Sequence, residues 1–153
     1  MEKTKLAMTK RQDRPSWYEY AMGMAIQART RSEDPHYQVG AYALKTDNTS
    51  GPTGYNGTPP GVEIDWSDRD LRRDFVIHAE VNCLNWVLPG ECKLIAVTTM
   101  PCPSCMALIA SKKIPVVLYD EIYKTDPTVE ARVINMAKIF NIELIHQPSN
   151  KKV

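Results

Sequence analysis

The feature that most constrains this chain is the alternation of helical and strand patterns from residue 78 onward. Residues 78–88 fit a helix closed by Pro89 and Gly90, and residues 94–100 form an apolar, partly β-branched run with strand character. Pro101, Cys102 and Pro103 end that strand and open a helix reaching about Lys112, after which residues 116–120 again read as a strand. Val129, Val133, Met136, Ala137 and Phe140 fall on one helical face, and residues 142–146 fit a last strand. A strand, helix, strand succession requires crossovers, which join parallel neighbours.

Upstream, Ser16 and Glu19 form a capping box before a helix over 16–30, on which Trp17, Ala21, Met24, Ala25 and Ala28 recur at helical spacing. Residues 38–44 and 51–56 read as strands of a hairpin around turn formers at 45–50, and such strands pair antiparallel. The segment 57–77 has no strong period and reads as a long loop that shapes a site. These elements predict an α/β fold: a three-layer α/β/α sandwich with a mixed five-stranded sheet. The chain of 153 residues is read as a single domain with its core over about 16–146 and loose charged tails.

Composition narrows the function. Nineteen Lys and Arg against eighteen Asp and Glu leave a formal charge of +1, which argues against long nucleic acid as the main partner. No apolar run approaches the roughly 20 residues of a membrane span, and residues 1–14 lack the apolar stretch of a secretory signal. A cytoplasmic location is therefore expected, where the four cysteines, Cys83, Cys92, Cys102 and Cys105, remain thiols or thiolates.

Two short segments carry the chemistry: His78, Ala79 and Glu80 in succession, and Pro101, Cys102, Pro103, Ser104 and Cys105 after a strand. Cys-x-x-Cys at a helix start points two sulfurs to one side, where the helix N-terminus favours the thiolate that binds zinc. His78 offers a third ligand from another helix. Three protein ligands leave a position open for water, whose pKa zinc lowers from about 15.7 to about 7. Glu80 is placed to accept the water proton and pass it on.

Alternatives stand beside this reading. Cys-x-x-Cys alone is also a redox pair or half of a structural zinc site, but the latter needs four ligands, and Cys83 and Cys92 form no second close pair. Cys83 reads as a small core residue, His36 and His146 as structural or surface histidines, and Met22, Met24, Met106 and Met136 as core filler.

The order His-x-Glu followed by Pro-Cys-x-x-Cys is the signature of zinc-dependent nucleobase deaminases. Together with Trp17 to Tyr20, Arg31 to Pro35, Gln38 to Ala41, Gly54 to Pro59 and His78 to Asn82, it resembles the deoxycytidylate (dCMP) deaminase family over roughly residues 16–146. The resemblance implies one catalytic Zn²⁺ per chain held by His78, Cys102 and Cys105, attack of the activated water on C4 of cytosine, and protonation of N3 and the leaving amino group by Glu80. It implies that Asn56 hydrogen-bonds the sugar and that the Ala79 backbone N–H holds the base carbonyl. Trp86 and Tyr123 are expected to flank the nucleotide, with Tyr123 reaching its phosphate. Arg72, Arg73, Lys112, Lys113 and Lys124 are the cations open to that phosphate.

The resemblance further implies conversion of dCMP to dUMP, a supply of dUMP for thymidylate synthesis, a homohexamer, and effector binding by dCTP (activator) and dTTP (inhibitor) with Mg²⁺. The loop from Gly57 to Gly61 and the following insert would be the neighbourhood of such an effector. Many microbial and viral relatives carry a second, structural zinc, but residues 1–77 here hold no Cys and only His36, so one zinc is expected. A deaminase of a free nucleoside, guanine or an RNA base, and a catalytically silent nucleotide-binding module, are the competing readings.

Overall fold

The computed structural model describes residues 8–122 and 126–149. Helix α1 (Trp17–Arg29) starts at the capping box: the Glu19 N–H donates to Ser16 Oγ at 3.1 Å, and the Ser16 N–H donates to Glu19 Oε1 at 3.0 Å. It is followed by β1 (Gly40–Lys45), β2 (Ser50–Tyr55), α2 (Arg69–Phe75), α3 (Ala79–Leu84), β3 (Cys92–Thr99), α4 (Pro103–Ser111), β4 (Val116–Glu121), α5 (Pro127–Phe140) and β5 (Glu143–His146).

The strands form one sheet in the order β2-β1-β3-β4-β5. β1 runs antiparallel to both β2 and β3, while β3, β4 and β5 are mutually parallel, so the sheet is mixed and five-stranded as the sequence predicts. Side-chain alternation along the strands sorts the core into two layers. Tyr42, Leu44, Leu94, Ala96 and Leu118 face α1, packing on its buried Ala21, Met22 and Ala25. The alternate residues Ala41, Ala43, Ile95, Val97 and Val117 face the opposite side, with Ala79 and Cys83 of α3, Met106 and Ile109 of α4, and Val133 and Ala137 of α5. Among the described residues, this is the α/β/α arrangement.

Two segments differ from the sequence expectation. The loop over 57–77 contains helix α2, capped by Asp68, whose Oδ1 accepts from the N–H groups of Asp70 at 2.9 Å and Leu71 at 3.1 Å. No residue of α2 is buried, so it has no apolar stripe for periodicity to detect. Helix α3 ends at Leu84, short of the expected 88. Pro89 disfavours helical backbone at Leu88, and the chain leaves α3 through tight turns, Trp86 N–H to Cys83 O at 3.3 Å and Val87 N–H to Leu84 O at 3.1 Å.

Candidate metal centre and active-site cleft

The two chemical segments meet at adjacent helix starts. His78 is the N-cap residue of α3 and Cys102 that of α4, with Cys105 on the first turn of α4. Parallel pairing of β3 with β4 through α4 sets Cys102 immediately beyond the end of β3, where strand ends open onto a cleft. His78 Nδ1 lies 3.4 Å from Cys105 Sγ and 3.6 Å from Cys102 Sγ, and the three ligand atoms all lie within 4.8 Å of one another. A tetrahedral zinc with its usual N and S bond lengths sets such atoms about 3.6 Å apart, so the spacing fits.

The electrostatics fit a cation as well. The hydrogen bond from the Cys105 thiol lowers Cys102 to about 3, helped by His78 and by the Ser104 hydroxyl at 3.2 Å. Cys105 moves the opposite way, pushed up by its hydrogen bond to Cys102 and by burial. The two opposite shifts have one cause, the hydrogen bond between the sulfurs, which favours the charged form of Cys102. The hydrogen bond to Cys102 raises His78 against the effect of its own burial. A cation that displaces the remaining thiol proton would meet two thiolates and an imidazole, the borderline-soft donor set that zinc selects.

Glu80, on the first turn of α3, is buried at 4% exposure. That burial raises its carboxyl above the ordinary value, opposed by its own backbone N–H and by His78. Glu80, His78, Ala79 and Cys102 line one cavity of about 490 Å³. The same cavity is lined by Asp34, Tyr37, Val39 and Asn56 from around β1 and β2, and by Arg69, Arg72 and Arg73 from α2.

Asn56, 7% exposed, is clamped. Its Oδ1 accepts from the Val39 N–H at 2.8 Å and from the Ser32 hydroxyl at 2.7 Å, and its Nδ2 donates to Tyr37 O at 2.8 Å. The Tyr37 hydroxyl in turn lies 2.9 Å from Thr99 Oγ1. The sequence singles out Asn56, Arg72 and Arg73 but not Asp34, Tyr37 or Arg69. Arg69 stands three and four residues before the other two arginines, a helical spacing that becomes visible once Asp68 is taken as an N-cap.

Other expected residues fall elsewhere. Trp86 lies past the end of α3, is 77% exposed and does not line the cavity. Its expected place requires two further helical turns after His78 that α3 does not make. Lys112 Nζ donates to Val87 O at 2.7 Å, and neither Lys112 nor Lys113 lines the cavity. Tyr123 and Lys124 lie outside the described residues. Cys83 is fully buried with its thiol 3.2 Å from Pro52 O, and His146 Nε2 lies 2.8 Å from Asp120 O, both structural as expected.

With that geometry, similarity to known proteins is decisive. A family model described as the cytidine and deoxycytidylate deaminase zinc-binding region matches residues 15–121. This chain belongs to the cytidine and deoxycytidylate deaminase family. Within the family, the deoxycytidylate deaminase of Homo sapiens is 32% identical over 150 residues, covering 89% of this chain and 84% of its own length. The deoxycytidylate deaminase of Mycobacterium phage D29 is 35% identical over 127 residues, covering 69% of this chain and 95% of its own. Among solved structures, the dCMP deaminase of cyanophage S-TIM5 in complex with dCMP and dUMP superposes with a TM-score of 0.71 at 24% identity, covering 89% of this chain and all of that one. The cytidine deaminase of Burkholderia pseudomallei gives a TM-score of 0.50 at 20% identity over 70% of this chain and 86% of that one. Both share the family's deaminase fold.

Proposed function

We propose that this chain hydrolyses dCMP to dUMP and ammonia. The observation that carries the reading is the triangle of His78, Cys102 and Cys105 beside a buried carboxylate, Glu80, in one cavity. The names of its curated relatives support the choice of dCMP. His78, Cys102 and Cys105 would hold Zn²⁺, which when bound supplies a Lewis acid that brings the pKa of a water down to about 7.

The rest of the chemistry belongs to side chains of this chain. Glu80 takes one proton from the attacking water and delivers it to N3 of cytosine, then takes the second from the hydroxyl now on C4 and delivers it to the amino group that leaves. Water thus adds one oxygen at C4, ammonia carries the nitrogen away, and the carboxylate ends as it began. Burial that raises the Glu80 carboxyl suits a group that must both take and give a proton. Ala79, between His78 and Glu80 and fully buried, offers its backbone N–H to the base carbonyl, and the clamped Asn56 stands on the sugar side.

Arg69, Arg72 and Arg73 supply the positive wall that a monophosphate requires and a nucleoside does not. Arg72 is held in place by its Nη1 bond to Trp66 O at 2.6 Å, and Arg73 pairs with Asp70. The same family resemblance extends the proposal to one zinc per chain, a homohexamer, and regulation by dCTP and dTTP with Mg²⁺. Among the described residues, no helix is long and apolar enough to cross a membrane.

Zinc-loaded protein incubated with dCMP, deoxycytidine and a tRNA, with ammonia followed, tests the reading. Turnover of dCMP well above the other two is expected. Activity confined to deoxycytidine or the tRNA would overturn the substrate, and none on any of them would leave a silent nucleotide-binding module.

A further inference from the structure

The lining of the cleft contains an acceptor that the deamination chemistry leaves unused. Asp34 lines the cavity and is half-buried. Its Oδ1 accepts from the backbone N–H of His36 at 2.8 Å and of Tyr37 at 3.2 Å, so the turn after α1 fixes the carboxylate plane. Among the described residues its Oδ2 has one partner, the Asn56 Nδ2 at 3.5 Å, the outer limit of a hydrogen bond.

Asn56 cannot fill that gap by turning. Its Oδ1 already takes two donors and one of its N–H groups is committed to Tyr37 O, so rotation would break three shorter bonds to improve one long one. The two residues are thus locked side by side, with an under-used carboxylate oxygen on the cavity wall.

Among the parts of a deoxynucleotide, a carboxylate oxygen repels the phosphate, which the α2 arginines attract, and suits a hydroxyl that can donate. A 2′-deoxynucleotide monophosphate esterified at the 5′ position has one such sugar hydroxyl, at the 3′ position. We propose that Asp34 Oδ2 accepts the hydrogen bond of the substrate's 3′-hydroxyl, and that Asn56 is the positioning residue that holds Asp34 and the segment from Ser32 to Val39 in place for it. The proposal rests on the reading of the cleft as a deoxynucleotide site. It makes Asp34 a specificity-determining residue.

A charge-assisted bond lost in a desolvated site costs about 10- to 100-fold in binding. The wild-type protein is therefore expected to favour dCMP over 2′,3′-dideoxycytidine 5′-monophosphate by that factor in kcat/KM. Asp34→Ala should reduce the preference to within about threefold. Damage to the turn lowers both rates together and leaves their ratio unchanged, so the ratio reports the hydroxyl contact alone. Asp34→Asn keeps an oxygen for the turn and replaces the charged acceptor with an amide, and should give an intermediate ratio even if the alanine variant does not fold.

Asn56→Ala should weaken the same preference while Asp34 is present and change the ratio no further in the Asp34→Ala background, whereas a further drop there would deny that Asn56 acts through Asp34. A wild type that treats both substrates alike, or an Asp34→Asn variant with the wild-type ratio, overturns the assignment while dCMP deamination stands. Failure of the wild type to release ammonia from dCMP would instead remove the underlying reading and the proposal together.

Discussion

A side-chain carbon on Gly54 would stand 2.4 Å from the carbonyl oxygen of Ala79 and 2.5 Å from the backbone nitrogen of Cys83. Strand β2 and helix α3 therefore pack backbone against backbone, and that contact fixes the height at which His78 and Glu80 meet the end of β3. Gly54→Ala is expected to push α3 outward, costing about 1–3 kcal/mol of stability by overpacking and lowering both zinc content and turnover. Gly23 is the control, since a methyl group added there on α1 would meet nothing within 4 Å. Gly23→Ala should raise stability by about 0.5–1 kcal/mol in urea unfolding without touching zinc content.

In the proposed mechanism Glu80 moves protons and is not one of the three candidate ligands, so its removal should separate metal binding from catalysis. Glu80→Gln is expected to keep one zinc per chain by elemental analysis and to lose about 10²–10⁴-fold in kcat. Two zinc ions per chain in the wild type would contradict the single-site assignment.

The four cysteines should sort into two chemical classes. Burial pushes the Cys83 thiol up to about 12 and the Cys92 thiol up to about 11, and both are nearly inaccessible. In chelator-treated folded protein, alkylation followed by mass spectrometry should modify Cys102 alone, leaving the buried Cys83, Cys92 and Cys105 unmodified until the chain unfolds. Zinc should protect Cys102.

The arginines of α2 lie at the cavity wall rather than at the metal. Arg69→Ala and Arg72→Ala are each expected to raise KM for dCMP about tenfold or more while leaving the much weaker reaction of deoxycytidine unchanged, measured by ammonia release. Equal effects on both substrates would deny these cations a role at the phosphate.

Glu19 gives a pH dependence far from the site. Its hydrogen bond from the Ser16 backbone, with that from the Ser16 side chain, holds its carboxyl below the usual value of 4.5. A carboxyl lowered on folding stabilises the protein above its unfolded pKa, and this gain is lost as pH falls through the folded one. The Tm of Glu19→Gln should therefore lie below that of the wild type at pH 7, with the difference shrinking as both are titrated well below pH 4.

Much of this was legible in the residues because the physics is local. The capping box announces α1, the β-branched run of β3 precedes two prolines, and His78, Glu80, Cys102 and Cys105 differ so much from core-forming types that their spacing alone gathers them. Helix α2 was not legible, since a helix with no buried face leaves no apolar period and Asp68 is a weak signal by itself. Asp34 was hidden for another reason: it stands in the Arg31 to Pro35 segment that carries the resemblance, but only the packing that brings Asn56 beside it shows how loosely one carboxylate oxygen is engaged. Trp86 illustrates the converse, for a helix assumed to continue carried it toward a cleft that it does not reach.

Because α2 contributes arginines to the cleft yet buries none of its own side chains, its sequence is almost free of any duty to the core. Exchanges along it can alter which anion is welcomed without disturbing the sheet or the metal ligands. The candidate metal ligands stand on helices seated in the core, while the cleft arginines stand on one that the core does not hold to any side chain.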